Sequence, residues 1–258
     1  MTLTSQVHKS IDQLLALVAS ANQAVMDVYA TDDFGTSEKS DHSPVTAADL
    51  AAHTILSEGL VALFPDIPVI SEEGDDTYNY QTVQSDRFWL VDPLDGTSEF
   101  IKKTGEFTVC VGLVEHGRAV YGIVGAPARG AIYYGGPETG SFCKTDNQPA
   151  RSLHAATTPT DIIMGSASHR EEPTDTYIAA HYPQATTQPL GSQLKFLAIA
   201  DGHADAYPRL GSSMKLWDVA SGHAIIDGAG GSITRPDGTL IDYREPSLLI
   251  GDFVARAT

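Results

Sequence analysis

Residues 90–100 read LVDPLDGTSEF, which places Asp92 and Asp95 three positions apart behind the apolar run Phe88-Trp89-Leu90-Val91. A hard divalent cation such as Mg²⁺ takes oxygen ligands, typically a few carboxylates completed by water and substrate phosphate. Pro93 cannot donate a ladder hydrogen bond, so the strand is expected to stop there. The turn that follows can then aim both carboxylates and the Leu94 carbonyl at one point. Gly96-Thr97 adds backbone N–H groups for an anion, and Thr97 a hydroxyl. Strand, acids, glycine and hydroxyl make a phosphate-and-metal corner.

Other acids end apolar segments in the same way. Glu72-Glu73 follows Pro68-Val69-Ile70, Asp218 follows Trp217 at an expected helix start, and Asp49 stands three positions after Thr46. Each also has a plain structural reading. Asp49 with Thr46 resembles a capping box. Asp218 suits the first turn of a helix, where the dipole favours an acid, and Glu73 can simply be solvated. Trp217 reads as packing rather than a stacking platform.

These residues need elements to hold them. Ile11, Leu14, Leu15, Val18, Val25 and Val28 recur at helical spacing, which predicts a helix from about Ser5 to Tyr29. The polar stretch TDDFGTSEKSDHSP reads as a loop. A second helix begins after Thr46 and carries Leu56, Leu60, Leu63 and Phe64, with Pro65 and Pro68 closing it. Strands are expected at 68–70, 88–91, 107–114, 120–126 and 131–134, with a hairpin turn at Glu115-His116-Gly117-Arg118. From Ile162 onward short strands alternate with helices at about 192–200 and 217–227, the latter capped by Gly230-Gly231. No repeat or low-complexity linker interrupts the chain, and residues 149–159 are the expected lobe boundary.

The chain has 258 residues, of which 42% are hydrophobic and 19% charged, the profile of an ordinary globular protein. Its formal net charge is −17 with only 16 Lys and Arg, which argues against a nucleic-acid polymer as partner. A small phosphorylated substrate held through divalent cations remains compatible with that charge. No run approaches the length of a membrane span, and no signal peptide is expected from MTLTSQVHKSIDQLL. Two cysteines, Cys110 and Cys143, argue against a disulfide scaffold and point to the reducing cytoplasm.

SPVTAAD with Asp49, VISEEG with Glu72, WLVDPLDGTSEF twenty residues on, and KLWDVASGHAIIDGAGG with Asp218 together resemble the motifs of the inositol monophosphatase-like, lithium-sensitive phosphatase superfamily. They run from Ser43 to Gly231 in the order of that family. SPVTAADLAAH, DPLDGTSEF with Glu99-Phe100, FIKKTGEFTV, GSQLKF and ADAYPRLG are most similar to its 3′(2′),5′-bisphosphate nucleotidase branch, the CysQ type. Ser98 departs from the lysine common in that branch, at a position expected beside the site rather than in it.

The resemblance implies an α+β / α/β fold, a layered αβαβα sandwich, with an N-terminal α+β lobe (1–155) and a C-terminal α/β lobe (156–258). It implies two or three Mg²⁺ ions on Glu72, Asp92, the Leu94 carbonyl, Asp95 and Asp218, with inhibition by Li⁺. Asp49 and Thr97 would orient and deprotonate a water, with Glu72 serving catalysis as well as the metal. Gly96, Thr97, Ser192, Lys195, Arg209, Ser168 and His169 would contact the substrate. The implied reaction is hydrolysis of the 3′-phosphate of adenosine 3′,5′-bisphosphate to AMP and phosphate. The resemblance also implies 3′-phosphoadenylyl sulfate as a second substrate and sulfate assimilation as the setting.

Rivals are inositol monophosphatase or fructose-1,6-bisphosphatase activity on the same metal corner, and a non-catalytic binding protein that keeps the fold. The expected protein is cytoplasmic; the sequence does not reveal its oligomeric state, a monomer being favoured, and peripheral association with the inner membrane is left open.

Overall fold

Four consecutive apolar residues at 88–91 suit a strand covered on both faces, because a half-exposed strand would alternate. The computed structural model describes residues 6–7, 9–38, 44–146, 148–166, 171–211 and 213–257. In chain order the elements are α1 (Ile11–Tyr29), β1 (Ser37–Glu38), β2 (Pro44–Val45), α2 (Ala47–Leu63), β3 (Val69–Ser71), α3 (Asp76–Thr82), β4 (Arg87–Asp95) and α4 (Thr97–Ile101). Then come β5 (Thr108–Glu115), β6 (Arg118–Ala126), β7 (Ala131–Gly136), β8 (Gly140–Thr145) and β9 (Arg151–Ser152). The remainder is β10 (Ile162–Ser166), α5 (Glu172–His181), β11 (Thr186–Leu190), α6 (Leu194–Ala200), β12 (Ala206–Arg209), α7 (Ala220–Gly228), β13 (Ser232–Thr234) and β14 (Phe253–Arg256). The expected start of the first helix near Ser5 lies outside the described residues.

Strands β3 to β9 form one sheet in sequence order, β3 parallel to β4 and the rest antiparallel. The β5–β6 hairpin closes through His116 and Gly117, both left-handed at φ 50° and 76°, as a two-residue primed turn requires. A second sheet has the order β11-β10-β12-β14-β13, its first three strands parallel.

Alternate residues of β4 enter different cores. Trp89 and Val91 pack with Leu14, Val18, Leu56 and Leu60 of α1 and α2, whereas Phe88 and Leu90 pack with Phe196, Ala224 and Ile225 of α6 and α7. The far side of α6 meets β12 and β14, and α5 covers the second sheet through Ile178, Ile163 and Ala206. The layers therefore run α, β, α, β, α, as expected. Among the described residues no helix is long and apolar enough to cross a membrane.

Helix α7 lies so close to the first sheet that side chains beneath it are excluded. A Cβ on Gly122 would sit 2.1 Å from the Ser221 carbonyl oxygen, and one on Gly112 would sit 2.9 Å from Ala220 Cβ. Further along α7, buried His223 places Nδ1 2.9 Å from the Tyr243 hydroxyl and Nε2 3.5 Å from Asp227 Oδ2. Burial, with Arg118 adding to it, pulls the His223 pKa down to about 3. The unfolded chain takes up this proton near pH 6.5 and the folded one does not. The imidazole therefore costs stability as pH drops below about 6.5, by up to about 1.4 kcal/mol per pH unit, while the Asp227 carboxyl, pushed up to about 7 by burial, works the other way in wild type and variant alike. Urea midpoints for His223→Gln should decline less than wild type between pH 7 and 5. Parallel declines would mean that the folded imidazole is charged, paired with Asp227.

Candidate active site

The proline of DPLD does not end its strand. β4 runs on to Asp95, with Asp92 opposite Cys110 and Asp95 opposite Thr108, so two residues of β4 face one of β5. This is a β-bulge, a position that tolerates a missing N–H. On the other side of β4, pairing with β3 stops at Ser71↔Val91, so Pro93 lacks a donor where no strand waits for it. Residues three apart on a regular strand point to opposite faces. The extra residue cancels that alternation: Val91 and Leu94 share the α1/α2 core, and Asp92 and Asp95 both reach one cleft. Asp92 Oδ1 accepts from the Leu94 N–H at 3.1 Å.

That cleft, about 640 Å³, is lined by Glu72, Asp92, Leu94, Asp95, Gly96, Thr97, Ser192, Lys195, Arg209 and Asp218 among others. Glu72 arrives from the end of β3, its N–H bonded to the Val91 carbonyl at 3.0 Å. Asp218 sits in the turn ahead of α7, not in the helix as expected. Its Oδ2 accepts from the Lys215 N–H at 2.8 Å, which fixes the turn, and α7 starts at Ala220. Gly96 is left-handed at φ 93°, and a Cβ there would meet the Glu106 carbonyl oxygen at 3.0 Å and Ser192 Cβ at 3.2 Å.

Asp49 lies behind Thr97, 1% exposed. Its two oxygens make separate contacts. Oδ2 accepts from the Thr46 N–H (2.7 Å) and hydroxyl (2.6 Å), which is the capping box of α2. Oδ1 faces the Thr97 hydroxyl at 3.2 Å, and that hydroxyl also lies 3.2 Å from the Leu94 carbonyl. Burial pushes the Asp49 carboxyl up, against the Thr46 hydrogen bonds that lower it.

Electrostatics single out the carboxylates. Asp92 is pushed well up by burial, then by Glu72, Asp95 and Asp218. Asp218 is pushed well up by burial, then by Asp95 and Glu72. Asp95 rises through burial, offset by Lys195 and by its bonds from Ser192 and Gln193. Asp95 and Asp218 are enclosed by protein yet keep part of their surface on the cleft. Like charges so placed favour a proton or a cation. Among the described residues no three His, Cys, Asp or Glu side chains close into a ready-made cage. An all-oxygen set left open in this way fits Mg²⁺, which keeps several waters and takes substrate phosphate.

Two cations, Lys195 and Arg209, line the same cleft. The Lys195 ammonium donates to the carbonyls of Ser192 (2.6 Å) and Leu190 (3.1 Å) and lies 5.3 Å from the Tyr207 ring centre. Burial lowers its pKa to about 8, with Asp95 opposing. Arg209, at the end of β12, has Nη2 4.0 Å from Glu171. Ser192 is non-glycine yet left-handed at φ 57°, a conformation that persists where surroundings fix it. Its hydroxyl donates to Asp95 Oδ2 at 2.7 Å and meets the Thr108 hydroxyl.

Ser98 lines the cleft, contrary to the expectation that it stands aside, because α4 turns the residues after Gly96 along the wall. Ser168 and His169 lie outside the described residues. Trp217 is buried in the core, as read. Glu171, Tyr207, Met214 and Gln193 were not singled out in the sequence. GSQLKF and YPRLG flagged the neighbourhood of two of them, but no local spacing marks Glu171 or Met214.

Comparison with known proteins agrees with this fold. The inositol monophosphatase family matches residues 7–257. The 3′(2′),5′-bisphosphate nucleotidase CysQ of Escherichia coli O6:H1 strain CFT073 is 40% identical over 235 residues, 90% of this chain and 93% of that protein. A solved CysQ from Bacteroides thetaiotaomicron, a bacterial member of the inositol monophosphatase family, superposes with TM-score 0.81 at 30% identity, covering 99% of this chain and 98% of that one. A staphylococcal inositol monophosphatase, solved as an inhibitory complex from a 100 mM LiCl soak, has the same fold at 19% identity and TM-score 0.77, covering 100% of this chain and 92% of its own. The fold, the motifs in their order and these likenesses place the chain in the inositol monophosphatase family.

Proposed function

We propose that the chain is a Mg²⁺-dependent 3′(2′),5′-bisphosphate nucleotidase that hydrolyses the 3′-phosphate of adenosine 3′,5′-bisphosphate to AMP and phosphate. On this reading 3′-phosphoadenylyl sulfate is a second substrate, and the setting is sulfate assimilation in the cytoplasm. The observation that carries it is one cleft that brings together Glu72, Asp92, Asp95 and Asp218, Thr97 with Asp49 behind it, and the cations Lys195 and Arg209. A substrate with two phosphates needs both groups, the acids with their ions for the phosphate that leaves and the cations for the phosphate that stays. The 40% identity to a protein named for that activity supports the same substrate.

Glu72, Asp92, the Leu94 carbonyl, Asp95 and Asp218 would hold the ions, with residues 1–155 and 156–258 contributing as two lobes. When bound, Mg²⁺ supplies polarisation of phosphoryl oxygens and acidifies water, and Li⁺ competing there would inhibit. The protein's own part is placement and proton handling. Thr97 donates its hydroxyl proton to Asp49 Oδ1, which leaves its lone pairs to accept from a water in the cleft. Asp49, clamped at Oδ2 by Thr46, keeps Oδ1 aimed at Thr97 and receives the proton through it. Gly96 and Thr97 N–H groups, Ser192, Lys195 and Arg209 position the nucleotide. Ser168 and His169 remain candidates for the same task.

Phosphate release should be strongest from adenosine 3′,5′-bisphosphate in a panel with inositol 1-phosphate and fructose 1,6-bisphosphate. A strong preference for either of the others would overturn the nucleotidase assignment. Asp49→Asn should lower kcat by roughly 10²–10⁴ with KM little changed, because the loss falls on proton transfer. A KM effect alone would move Asp49 into substrate binding.

Asp92→Asn should shift stability in opposite directions with and without metal. In EDTA it relieves repulsion while Asn Oδ1 keeps the Leu94 N–H bond, and roughly 1 kcal/mol of relief raises Tm by about 2–4 °C. With Mg²⁺ added, wild type should gain stability and the variant should not. Equal gains by both would remove Asp92 from the ion site.

A further inference from the structure

Gln193 is 1% exposed and stands between Ser192 and the start of α6. Its backbone N–H donates to Asp95 Oδ2 at 2.6 Å. Its side chain points the other way, into the segment that carries Asp218. Nε2 donates to the Trp217 carbonyl at 3.2 Å, and Oε1 accepts from the Ser221 hydroxyl at 2.8 Å and the Gly222 N–H at 2.9 Å. The carbonyl of Trp217 can only accept and the N–H of Gly222 can only donate, so the amide has one workable orientation. Gly222 permits the approach, since a Cβ there would lie 2.9 Å from Oε1. One buried residue thus bonds to Asp95 on the bulge of β4 and to the chain on both sides of Asp218, far apart in sequence.

We propose that Gln193 is a positioning residue that fixes the distance between Asp95 and Asp218, and through it the affinity for Mg²⁺. This rests on the reading of those two aspartates as ligands of one ion site. Two carboxylates that repel each other will separate in the absence of metal unless a bonded tie prevents it. Mg²⁺ demands near-ideal octahedral geometry, so ligands that must be drawn back together bind it less tightly.

The test is calorimetric titration of Mg²⁺ into nucleotide-free protein. Gln193→Met keeps the volume and removes all three side-chain bonds, and it should weaken Mg²⁺ binding roughly 10-fold. Ile225→Val loosens the packing of α7 without touching Gln193 and should leave the affinity within twofold of wild type. If Gln193→Met does not fold, Ser221→Ala removes one bond to Oε1 and should weaken binding roughly threefold. An unchanged affinity in the folded Gln193 or Ser221 variant would overturn the inference, as would equal weakening by Ile225→Val. Wild type that binds no Mg²⁺ would instead overturn the ion site itself, and this inference with it.

Discussion

Asp92 is a carboxylate with 1% of its surface exposed, at the bulge of the buried strand β4 and within the field of Glu72, Asp95 and Asp218. In a low-dielectric interior such groups cannot all ionise unless a cation or a proton compensates. A chain free to relax would separate them. Here each acid is held by a different device: Asp92 by the Leu94 N–H, Asp95 by Ser192 and Gln193, Asp218 by the Lys215 N–H, and Glu72 by the last rung of the β3–β4 ladder. The layers of the sandwich are what bring those devices within reach of one another. The repulsion is a local instability retained by the rest of the structure, as expected where strain serves chemistry.

Features that depend on neighbouring residues were legible in the sequence. The apolar quartet at 88–91 marked a buried strand, Thr46 and Asp49 marked a cap, and Glu115 to Arg118 marked a hairpin. Gly230 closes α7 in the left-handed region at φ 93° and the Gly231 N–H bonds back to the Ile226 carbonyl, as the Gly-Gly pair indicated. Pro93 shows where local reasoning stops. A missing N–H is consistent with a strand that ends and with a strand that bulges. The choice is made by β5, whose Thr108 and Cys110 pair on either side of the irregularity. Asp218 was displaced from its expected helix for a similar reason, since its carboxylate bonds to Lys215 three residues back and holds the chain in a turn.

Contacts between distant segments were not legible at all. Nothing near Gly112 or Gly122 reveals that α7 will lie across them, and nothing near Ser192 reveals its left-handed backbone. Gln193 reads as an ordinary polar residue at a helix start until β4 and α7 arrive on either side of it. Family resemblance supplied the ligand set in the sequence reading, because the spacing of acids alone left every one of them with a structural alternative.

Helix α2 shows why the two halves of the chemistry stay in register. Asp49 in its first turn faces Thr97, and His53 one turn later places Nδ1 2.8 Å from the Ser71 hydroxyl, directly before Glu72. Ser71 is held on its other side as well, its carbonyl accepting from Asn79 Nδ2 at 2.8 Å and from the Gly74 N–H at 3.0 Å. A single rigid helix therefore sets the residue proposed to take a proton and the strand end that presents a proposed ligand. Turning the helix about its axis would move both contacts together, and shifting it along its axis would break the capping box that starts it. The geometry of the cleft is in this sense a property of how whole elements dock, and side chains on mobile loops could not hold four acids so close.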